Sequence, residues 1–438
     1  MIEGQTTIFD MMYQKFKIDK PIRTIELFGG YGSQLLSLKY IGANVEQWKL
    51  CEWAVKSIQA YKDIHFPDDD TDYSKDISLE DLIEKLHLLG ISSNYNEPMT
   101  KEQIKRLNEK QVRTIYNNIK ATHNLVNIQS IHADDLEIKD KDKYCYIMTY
   151  SFPCQDLSLA GKCKGMSDTS TRSGLLWEVE RLLSECQELP QVLLMENVPM
   201  VHSVDNLDDF NKWKLRLEEL GYKNYFQDLI ATDYGIPQTR NRCFMVSILG
   251  NYCYTFPKPI PLKLKLKDML EDNVDEKYYI KNGTLKCFLT QKENGFPRKE
   301  RFLQALELTN KKQLAGTLTA LQDEKATDNH ILVKNTENYI EWYEKGKLDM
   351  DCRAWKEEKI VGALMTTANK NKVLKTDLTI RNFTSREMFR LMGVRDEDYE
   401  KCAKNQSNAS LSHLAGDSIV VNVLMAIFKE MIGSDSND

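Results

Sequence analysis

Two uninterrupted apolar runs stand out in the pattern of hydrophobic and polar positions along the chain. Residues 144–152 form the first run, which ends at Pro153-Cys154-Gln155, and residues 192–195 form the second, which ends at Glu196-Asn197-Val198. Continuous apolar runs of this length are typical of strands buried on both faces of a parallel sheet. Ligands of open α/β sheets bind beyond the carboxyl ends of the strands, so we expect the Cys154 thiol and the Glu196 carboxyl group to meet there. The alternative is a buried, inert cysteine and an unrelated surface glutamate.

Strand-like and helix-like segments alternate over the first 250 residues. Strands are predicted at residues 22–28, 47–51 and 242–248, and a helix at 34–41 follows the first of them. Residues 66–128 interrupt this order with polar, helix-like segments, which we interpret as an insertion, and the alternation resumes near Ile128. The pattern predicts the α/β class, with a doubly wound, mostly parallel sheet and helices on both of its faces.

The character of the chain changes after Gly250. Pro257-Lys258-Pro259-Ile260-Pro261 resembles a linker, and the following hundred-odd residues show short mixed segments without a clear period. Helices are predicted near Ser385 and from 418 to about 431. We therefore divide the chain into an α/β domain at 1–250, a smaller irregular domain at 251–375 and a C-terminal segment at 376–438.

The composition is typical of a soluble globular protein, with 42% hydrophobic and 28% charged residues in a chain of 438. No apolar stretch approaches the length of a membrane span, and the first 20 residues lack the order of a signal peptide, so we expect a cytoplasmic location. Ten cysteines occur without a CxxC pair or a Cys/His cluster along the sequence, so we expect free thiols and no metal site.

Charge is unevenly distributed along the chain. The formal net charge is −6, but residues 251–375 carry 23 Lys and Arg against 18 Asp and Glu, which leaves a local +5 and −11 for the rest. A basic segment in an acidic chain is compatible with local contact to phosphates. An ordinary solvated surface explains the same numbers.

Glycine-rich and acidic residues follow the predicted strands. Phe28-Gly29-Gly30-Tyr31-Gly32 lies between a strand and a helix, where glycines let the backbone approach a bound cofactor. Glu52 ends the next predicted strand and suits ribose hydroxyls, while Asp134, which we place at the end of a third strand, suits an adenine amino group. Taken singly, each acid is better explained by a helix cap or a solvated turn. Their joint position favours a cofactor that contains adenosine.

Two arginines occur at i and i+2 in Gln238-Thr239-Arg240-Asn241-Arg242, where a strand of the same sheet is predicted to begin. Side chains at this spacing share one face of a strand. Two guanidinium groups on one face suit a phosphate or a carbonyl oxygen, and an ordinary pair of edge arginines is the alternative.

The order of these blocks resembles the DNA (cytosine-5) methyltransferase family of bacterial or phage type. The blocks are the glycine loop, Glu52, Asp134, Pro-Cys-Gln, Glu-Asn-Val and Gln-x-Arg-x-Arg, followed by a long variable segment, residues 381–393 and Gly416-Asp417-Ser418. The resemblance covers the chain apart from the insertion and the variable segment. It implies a methyltransferase fold that binds S-adenosylmethionine without a metal, a catalytic domain at 1–250, a target-recognition domain at 251–375, and a C-terminal segment that returns to the catalytic domain.

The resemblance also assigns roles to residues. Cys154 is expected to attack C6 of a cytosine flipped out of double-stranded DNA, Glu196 to contact N3 and the exocyclic amine, and Arg242, supported by Arg240, to steady O2. The residues expected to bind the cofactor are Phe28, Gly30, Tyr31, Gly32, Glu52, Trp53, Asp134, Pro153, Leu175, Asp417 and Ser418. The expected enzyme is a monomer, and a separately encoded restriction endonuclease is its one candidate protein partner.

The chain departs from the family pattern at three positions. Gly29 stands where alanine is usual, Ser33 replaces a common glycine, and Asp417 replaces the usual asparagine of the last motif. Asp417 adds a negative charge near the cofactor, so its contact is the least secure of those carried over. None of the three alters the reacting groups, so activity is expected.

Three other functions fit parts of the sequence. A transfer-RNA cytosine-5 methyltransferase shares the motifs, but that subfamily usually has a short variable region and a Cys-Phe-Thr motif, which Cys287-Phe288-Leu289 matches only loosely. A cysteine hydrolase needs a histidine base, and His132 and His202 are the nearest histidines in sequence. A catalytically silent DNA-binding protein has no need of Cys154, Glu196 and both arginines together.

Overall fold

The computed structural model describes residues 14–153, 173–279, 313–315, 317–318 and 380–433, together with short strands at 292–293, 296–297 and 330–332. The six strands of the main sheet are β1 (Ile22–Leu27), β2 (Val45–Cys51), β3 (Cys145–Tyr150), β4 (Val192–Asn197), β5 (Tyr222–Ile230) and β6 (Asn241–Leu249). The other strands are Gln14–Lys15, Tyr252–Cys253, Lys292–Glu293, Phe296–Pro297, His330–Leu332 and Ile380–Asn382.

The α-helices in the described part of the chain are α1 (Ser33–Tyr40), α2 (Val55–His65), α3 (Leu79–Leu89), α4 (Lys101–Lys105), α5 (Glu109–Ala121), α6 (Leu176–Glu185), α7 (Leu207–Glu219), α8 (Ser385–Leu391), α9 (Asp396–Ala403), α10 (Asn408–Asp417) and α11 (Val421–Ile432). The last helix therefore begins three residues later than the sequence predicted, because residue 418 is extended and Val420 caps the helix.

The main sheet has the strand order β2-β1-β3-β4-β6-β5. The pairs β1–β2, β1–β3 and β3–β4 are parallel, whereas β6 runs antiparallel to both β4 and β5. The mostly parallel sheet predicted from the sequence is confirmed. The reversed direction of β6 places its first residues at the edge where β1, β3 and β4 end, with Cys243 opposite Asn197.

Helices cover both faces of the sheet. On one face Ile147 and Leu194 pack with Leu36 of α1 and with Leu424 and Phe428 of α11. On the other face Met148 and Met195 pack with residues of α6 and α7, among them Val179 and Trp213. Alternate residues of one strand thus enter different cores, which explains why β3 and β4 read as continuous apolar runs.

The predicted helical insertion contains α3, α4 and α5, which share a small apolar core that includes Leu82, Leu86, Val112 and Ile115. Ser78, Thr100 and Asn108 cap the three helices by accepting backbone N–H bonds. The alternation does not resume with a strand near Ile128 as predicted. Residues 125–144 form turns and a short 3₁₀ helix, and the next strand is β3.

None of the individual helices in the described ranges has both the length and the apolar composition of a membrane span. The pair α10 and α11 meets those two criteria only jointly, across a bend of 41°.

Candidate active site

A cavity of about 450 Å³ opens at the carboxyl edge of the sheet. Ten of the residues predicted from the sequence line it: Phe28, Gly30, Glu52, Trp53, Pro153, Leu175, Glu196, Arg240, Arg242 and Asp417. Tyr31 and Ser418 line a smaller adjoining cavity of about 70 Å³. Cys154 lies outside the described residues, and its neighbour Pro153 lies on the cavity wall.

The glycine loop has a backbone that favours glycine at two positions. Gly30 (φ 56°) and Gly32 (φ 82°) are both left-handed. A Cβ at Gly30 would meet no atom within 4 Å, whereas a Cβ at Gly32 would lie 2.3 Å from Nε2 of His65 and 2.6 Å from the Tyr61 ring. Gly30 therefore leaves space at the cavity wall, and Gly32 permits the loop to pack against α2.

Glu52 is held by backbone groups at the end of β2. Its carboxylate oxygens accept from Gly30 N–H (2.9 Å) and Ala54 N–H (2.7 Å). Asn124 clamps the Glu52 backbone, since its Oδ1 accepts from Glu52 N–H and its Nδ2 donates to Glu52 C=O. Burial raises the pKa of Glu52 to about 7, although hydrogen bonds from the backbone N–H groups of Ala54, Gly30 and Trp53 lower it. Each oxygen still has a lone pair for a ligand hydroxyl.

A buried polar network behind the glycine loop was missed from the sequence. Glu26 accepts from Leu35 N–H (3.1 Å) and from the Tyr61 hydroxyl, and burial raises the pKa of Glu26 to about 7. Nε2 of His65 lies 2.9 Å from the carbonyl oxygen of Tyr31, and burial lowers the pKa of His65 to about 3. Glu26 is the only acid within the predicted first strand, a position that signals a buried, partnered carboxyl group.

Glu196 is paired within the cavity. Nε of Arg242 lies 3.1 Å from Glu196 Oε1, and the Ser151 hydroxyl donates to Glu196 Oε2. Asn197 Nδ2 donates to the carbonyl oxygen of Phe152 at 3.0 Å, which ties the end of β4 to the end of β3. The carboxyl group of Glu196, whose residue is 6% exposed, thus has a fixed position beside the segment that leads into Cys154.

Arg240 holds three segments together. Its Nη1 donates to Leu318 C=O (2.9 Å), and its Nη2 donates to Gly416 C=O (3.1 Å) and Ser418 C=O (2.7 Å). Burial, followed by the neighbouring charge of Arg242, lowers the pKa of Arg240 to about 9. The sequence suggested a phosphate or a carbonyl oxygen as the ligand of these two arginines. In the structure, Arg240 contacts backbone carbonyl oxygens.

Tyr31 and Ser418 join the glycine loop to the C-terminal segment. The Tyr31 hydroxyl donates to Ser418 Oγ at 2.8 Å, and the Tyr31 ring stacks on Phe389 with centroids 5.3 Å apart. Both residues are buried. Direct contact of either residue with the cofactor stays a prediction.

Asp134 does not end a strand, contrary to the sequence prediction. It lies in the 3₁₀ helix Ala133–Leu136 and is not among the residues that line the cavity. Asn127, Ile128 and Gln129 line the cavity, and contact of Asp134 with the cofactor stays a prediction. The predicted position of Asp134 was wrong because the residues that follow the insertion form no strand before β3, so the strand pattern does not apply to them.

The insertion also contributes to the cavity, through Tyr95 and Asn96. Nothing in the sequence indicated this, because the contact depends on how the loop between α3 and α4 folds back on the sheet.

A histidine, an aspartate and a cysteine lie close together in the described part of the chain. Single ligand atoms of His202, Asp228 and Cys243 lie within 4.8 Å of one another, and His202 Nε2 is 2.9 Å from Asp228 Oδ1. Burial raises the pKa of the Cys243 thiol, and Asp228 raises it further. The thiol is therefore protonated and shielded, which does not suit the nucleophile of a cysteine hydrolase.

Comparison with known proteins identifies the family. The family model for C-5 cytosine-specific DNA methylase matches residues 88–433. The chain is 33% identical to Type II methyltransferase M2.ScrFI of Lactococcus lactis subsp. cremoris, over 94% of this chain and 99% of the relative. It is 32% identical to orphan methyltransferase M.SssI of Spiroplasma monobiae, over 94% and 98%.

The fold has a counterpart among solved structures. The S. pombe Dnmt2 methyltransferase matches with a TM-score of 0.57 at 15% identity, over 94% of this chain and 97% of that one. This likeness concerns the fold alone, which agrees with the predicted methyltransferase architecture. The family match and the two relatives, which the chain covers almost completely, show more: the chain belongs to the C-5 cytosine-specific DNA methylase family and is a DNA (cytosine-5) methyltransferase.

Proposed function

We propose that the enzyme transfers a methyl group from S-adenosylmethionine to C5 of a cytosine flipped out of a specific duplex sequence, through a covalent adduct between Cys154 and C6. The observation that carries this proposal is that one cavity is lined both by Glu52 and by the Glu196–Arg242 pair. Pro153, which precedes Cys154, lies on the same wall.

The cavity fits the cofactor. Its volume is in the range of about 300–1,000 Å³ that is common for small-molecule sites. Glu52 offers acceptors for ribose hydroxyls, Gly30 leaves open space, and Phe28, Trp53, Ile128 and Leu175 supply apolar walls for an adenine ring. When bound, the cofactor supplies an electrophilic methyl group.

The protein's task is to make C5 of cytosine a nucleophile. The Cys154 thiolate forms a bond to C6, which moves electron density from the C5–C6 double bond to C5 and to the ring near N3. Glu196 contacts N3 and the exocyclic amine as this charge develops, and Arg242 steadies both Glu196 and O2 of the base. After methyl transfer, a water molecule takes the proton from C5, and the bonding electrons re-form the C5–C6 double bond as the Cys154 thiolate leaves.

Mechanism-based trapping tests the covalent step. Fluorine does not leave C5 as a cation, so duplex DNA with 5-fluorocytosine at the target should hold the enzyme as an adduct after one methyl transfer. The adduct should require S-adenosylmethionine, survive denaturing electrophoresis and map to the Cys154 peptide. Bisulfite sequencing of DNA from cells that express the protein supplies the target site for the substrate.

Two variants make the test specific. Cys154→Ser should abolish the adduct, because an alcohol without an activating base is a poor nucleophile at neutral pH. Cys163→Ser, a cysteine close in sequence but outside the motif, should leave the adduct unchanged. No adduct on a site that the enzyme methylates, or an adduct that survives Cys154→Ser, would contradict the mechanism, and faster transfer to transfer RNA than to duplex DNA would contradict the substrate.

A further inference from the structure

The loop between α3 and α4 is fastened to the end of β2, next to Glu52. Ser92 N–H donates to Trp53 C=O (2.7 Å), and Ser92 C=O accepts from Val55 N–H (2.9 Å). Within the loop, Asn94 Oδ1 accepts from Asn96 N–H (2.9 Å) and the Ser92 hydroxyl donates to Glu97 C=O (2.8 Å). These bonds give the loop a defined shape, and Tyr95 at its tip has a left-handed backbone with φ 62°.

Tyr95 is turned toward the cavity rather than toward solvent. It lines both the large and the small cavity. Its ring lies against the ring of His413, with centroids 4.5 Å apart, and Ser57 Oγ lies 3.4 Å from the phenol oxygen. Burial raises the pKa of the phenol, and the nearby carboxylates of Glu52 and Asp417 raise it further, so the group stays a neutral hydrogen-bond donor.

His413 connects Tyr95 with Asp417. His413 Nε2 lies 3.1 Å from Asp417 Oδ2, so the carboxylate that departs from the family's asparagine has a polar neighbour on its own helix. Tyr95 and Asp417 line both cavities, whereas His413 lines only the smaller one and Glu52 only the larger one. Tyr95, His413 and Asp417 form a connected cluster through the ring contact and the Nε2–Oδ2 contact. Two of its three residues come from the C-terminal segment and one from the insertion.

We propose that Tyr95 is a cofactor-positioning residue and that the insertion forms the outer wall of the S-adenosylmethionine site. The ring packs against the part of the cofactor that lies between Glu52 and Asp417, and the phenol hydroxyl donates a hydrogen bond to it. The inference rests on the proposed function and adds to it a role for a segment that carries none of the family's motif blocks.

Binding of S-adenosylmethionine and of S-adenosylhomocysteine, measured by isothermal titration calorimetry on the full chain, tests the proposal. Tyr95→Ala should weaken both by about 10- to 100-fold, because it removes the ring and the hydroxyl together. Tyr95→Phe should weaken both by about 3- to 10-fold through the lost hydrogen bond. In methylation assays KM for S-adenosylmethionine should rise while kcat and duplex DNA affinity stay unchanged.

Tyr73→Ala is the matched control, since Tyr73 belongs to the same insertion and is 40% exposed on the surface. It should leave cofactor affinity unchanged. If the wild-type chain does not bind S-adenosylmethionine, the proposed function fails. If it binds and Tyr95→Ala, with an unchanged unfolding temperature, binds equally well, the role of Tyr95 is overturned. If the alanine variant is unstable, unchanged affinity in Tyr95→Phe overturns the hydroxyl contact.

Discussion

Glu52 is a buried carboxyl group on the wall of the cavity. Burial raises the pKa of Glu52 from 4.5 to about 7. Between pH 4.5 and pH 7, the folded protein therefore holds a proton on Glu52 that the unfolded chain has released. The stability that this proton contributes is present below pH 4.5 and is lost as the pH rises through 7. Ribose hydroxyls donate to a carboxylate, so a bound cofactor favours the ionised form.

We therefore expect cofactor affinity to depend on pH through Glu52. The dissociation constant of S-adenosylmethionine should rise by up to about tenfold per unit as the pH falls below 7, because binding must then release the proton. Calorimetry in buffers with different ionisation enthalpies should detect this proton release. Glu52→Gln should weaken binding by about 10- to 100-fold and flatten the profile.

Glu46→Gln, which alters an exposed carboxyl group on the same strand, is the control and should preserve the profile. Cofactor binding without proton release near pH 6.5, in a wild-type chain that binds well, would show that Glu52 is not the ribose acceptor.

Single residues were predictable from the sequence where a strand carries them. Glu52 directly follows a predicted strand and Glu196 lies near the end of an apolar one, and the structure places both on the cavity wall. Asp134 and Tyr95 lie in segments without a strand, so no period related their positions to the sheet. Asp134 was placed wrongly and Tyr95 was missed for the same reason.

At the scale of elements, the direction of β6 determines where Arg240 and Arg242 lie relative to the cavity. The sequence predicted a strand that begins near Arg242, and its antiparallel pairing with β4 brings that beginning to the active edge. Hydrophobic pattern does not report strand direction, since a strand buried on both faces reads the same either way. The ion pair between Glu196 and Arg242 forms only because β6 runs antiparallel to β4, so the hydrophobic pattern alone did not predict it.

Arg240 and Arg242 should differ sharply when replaced. Arg240→Ala removes the donor to three buried carbonyl groups, so it should lower the free energy of unfolding by about 3–5 kcal/mol. Arg242 is 17% exposed and lines the open cavity, where water can take its place beside Glu196, so Arg242→Ala should lower stability by less, about 1–2 kcal/mol, while it lowers kcat. Chemical denaturation and single-turnover methylation, measured on both variants, separate the two roles. Equal loss of stability in both variants would contradict this division.

At the scale of the whole molecule, we propose that reaction and recognition are carried by different parts of the chain. The groups that the mechanism needs lie within residues 1–250 and the C-terminal segment, whereas residues 251–375 carry the local charge of +5. We propose that this basic segment contacts DNA and selects the site, because side chains that read base edges need not be those that react.

Contacts between the recognition segment and the catalytic domain favour a test by exchange. Ala315 is joined to the segment that precedes β6 by two backbone bonds, from Thr239 N–H to Ala315 C=O and from Ala315 N–H to Pro237 C=O, each 2.9 Å. Backbone bonds of this kind do not depend on side-chain identity, so a foreign segment can make them.

Replacement of residues 255–375 by the equivalent stretch of a family member with a known target should therefore give an active enzyme. Bisulfite sequencing should find its methylation at the donor's target, and a chimera with Cys154→Ser should methylate nothing. A second chimera keeps residues 313–318 of this chain. If Ala315 and its neighbours only attach the exchanged segment to the rest of the protein, both chimeras should methylate the same new target. An active chimera that retains the original target would place recognition elsewhere in the chain.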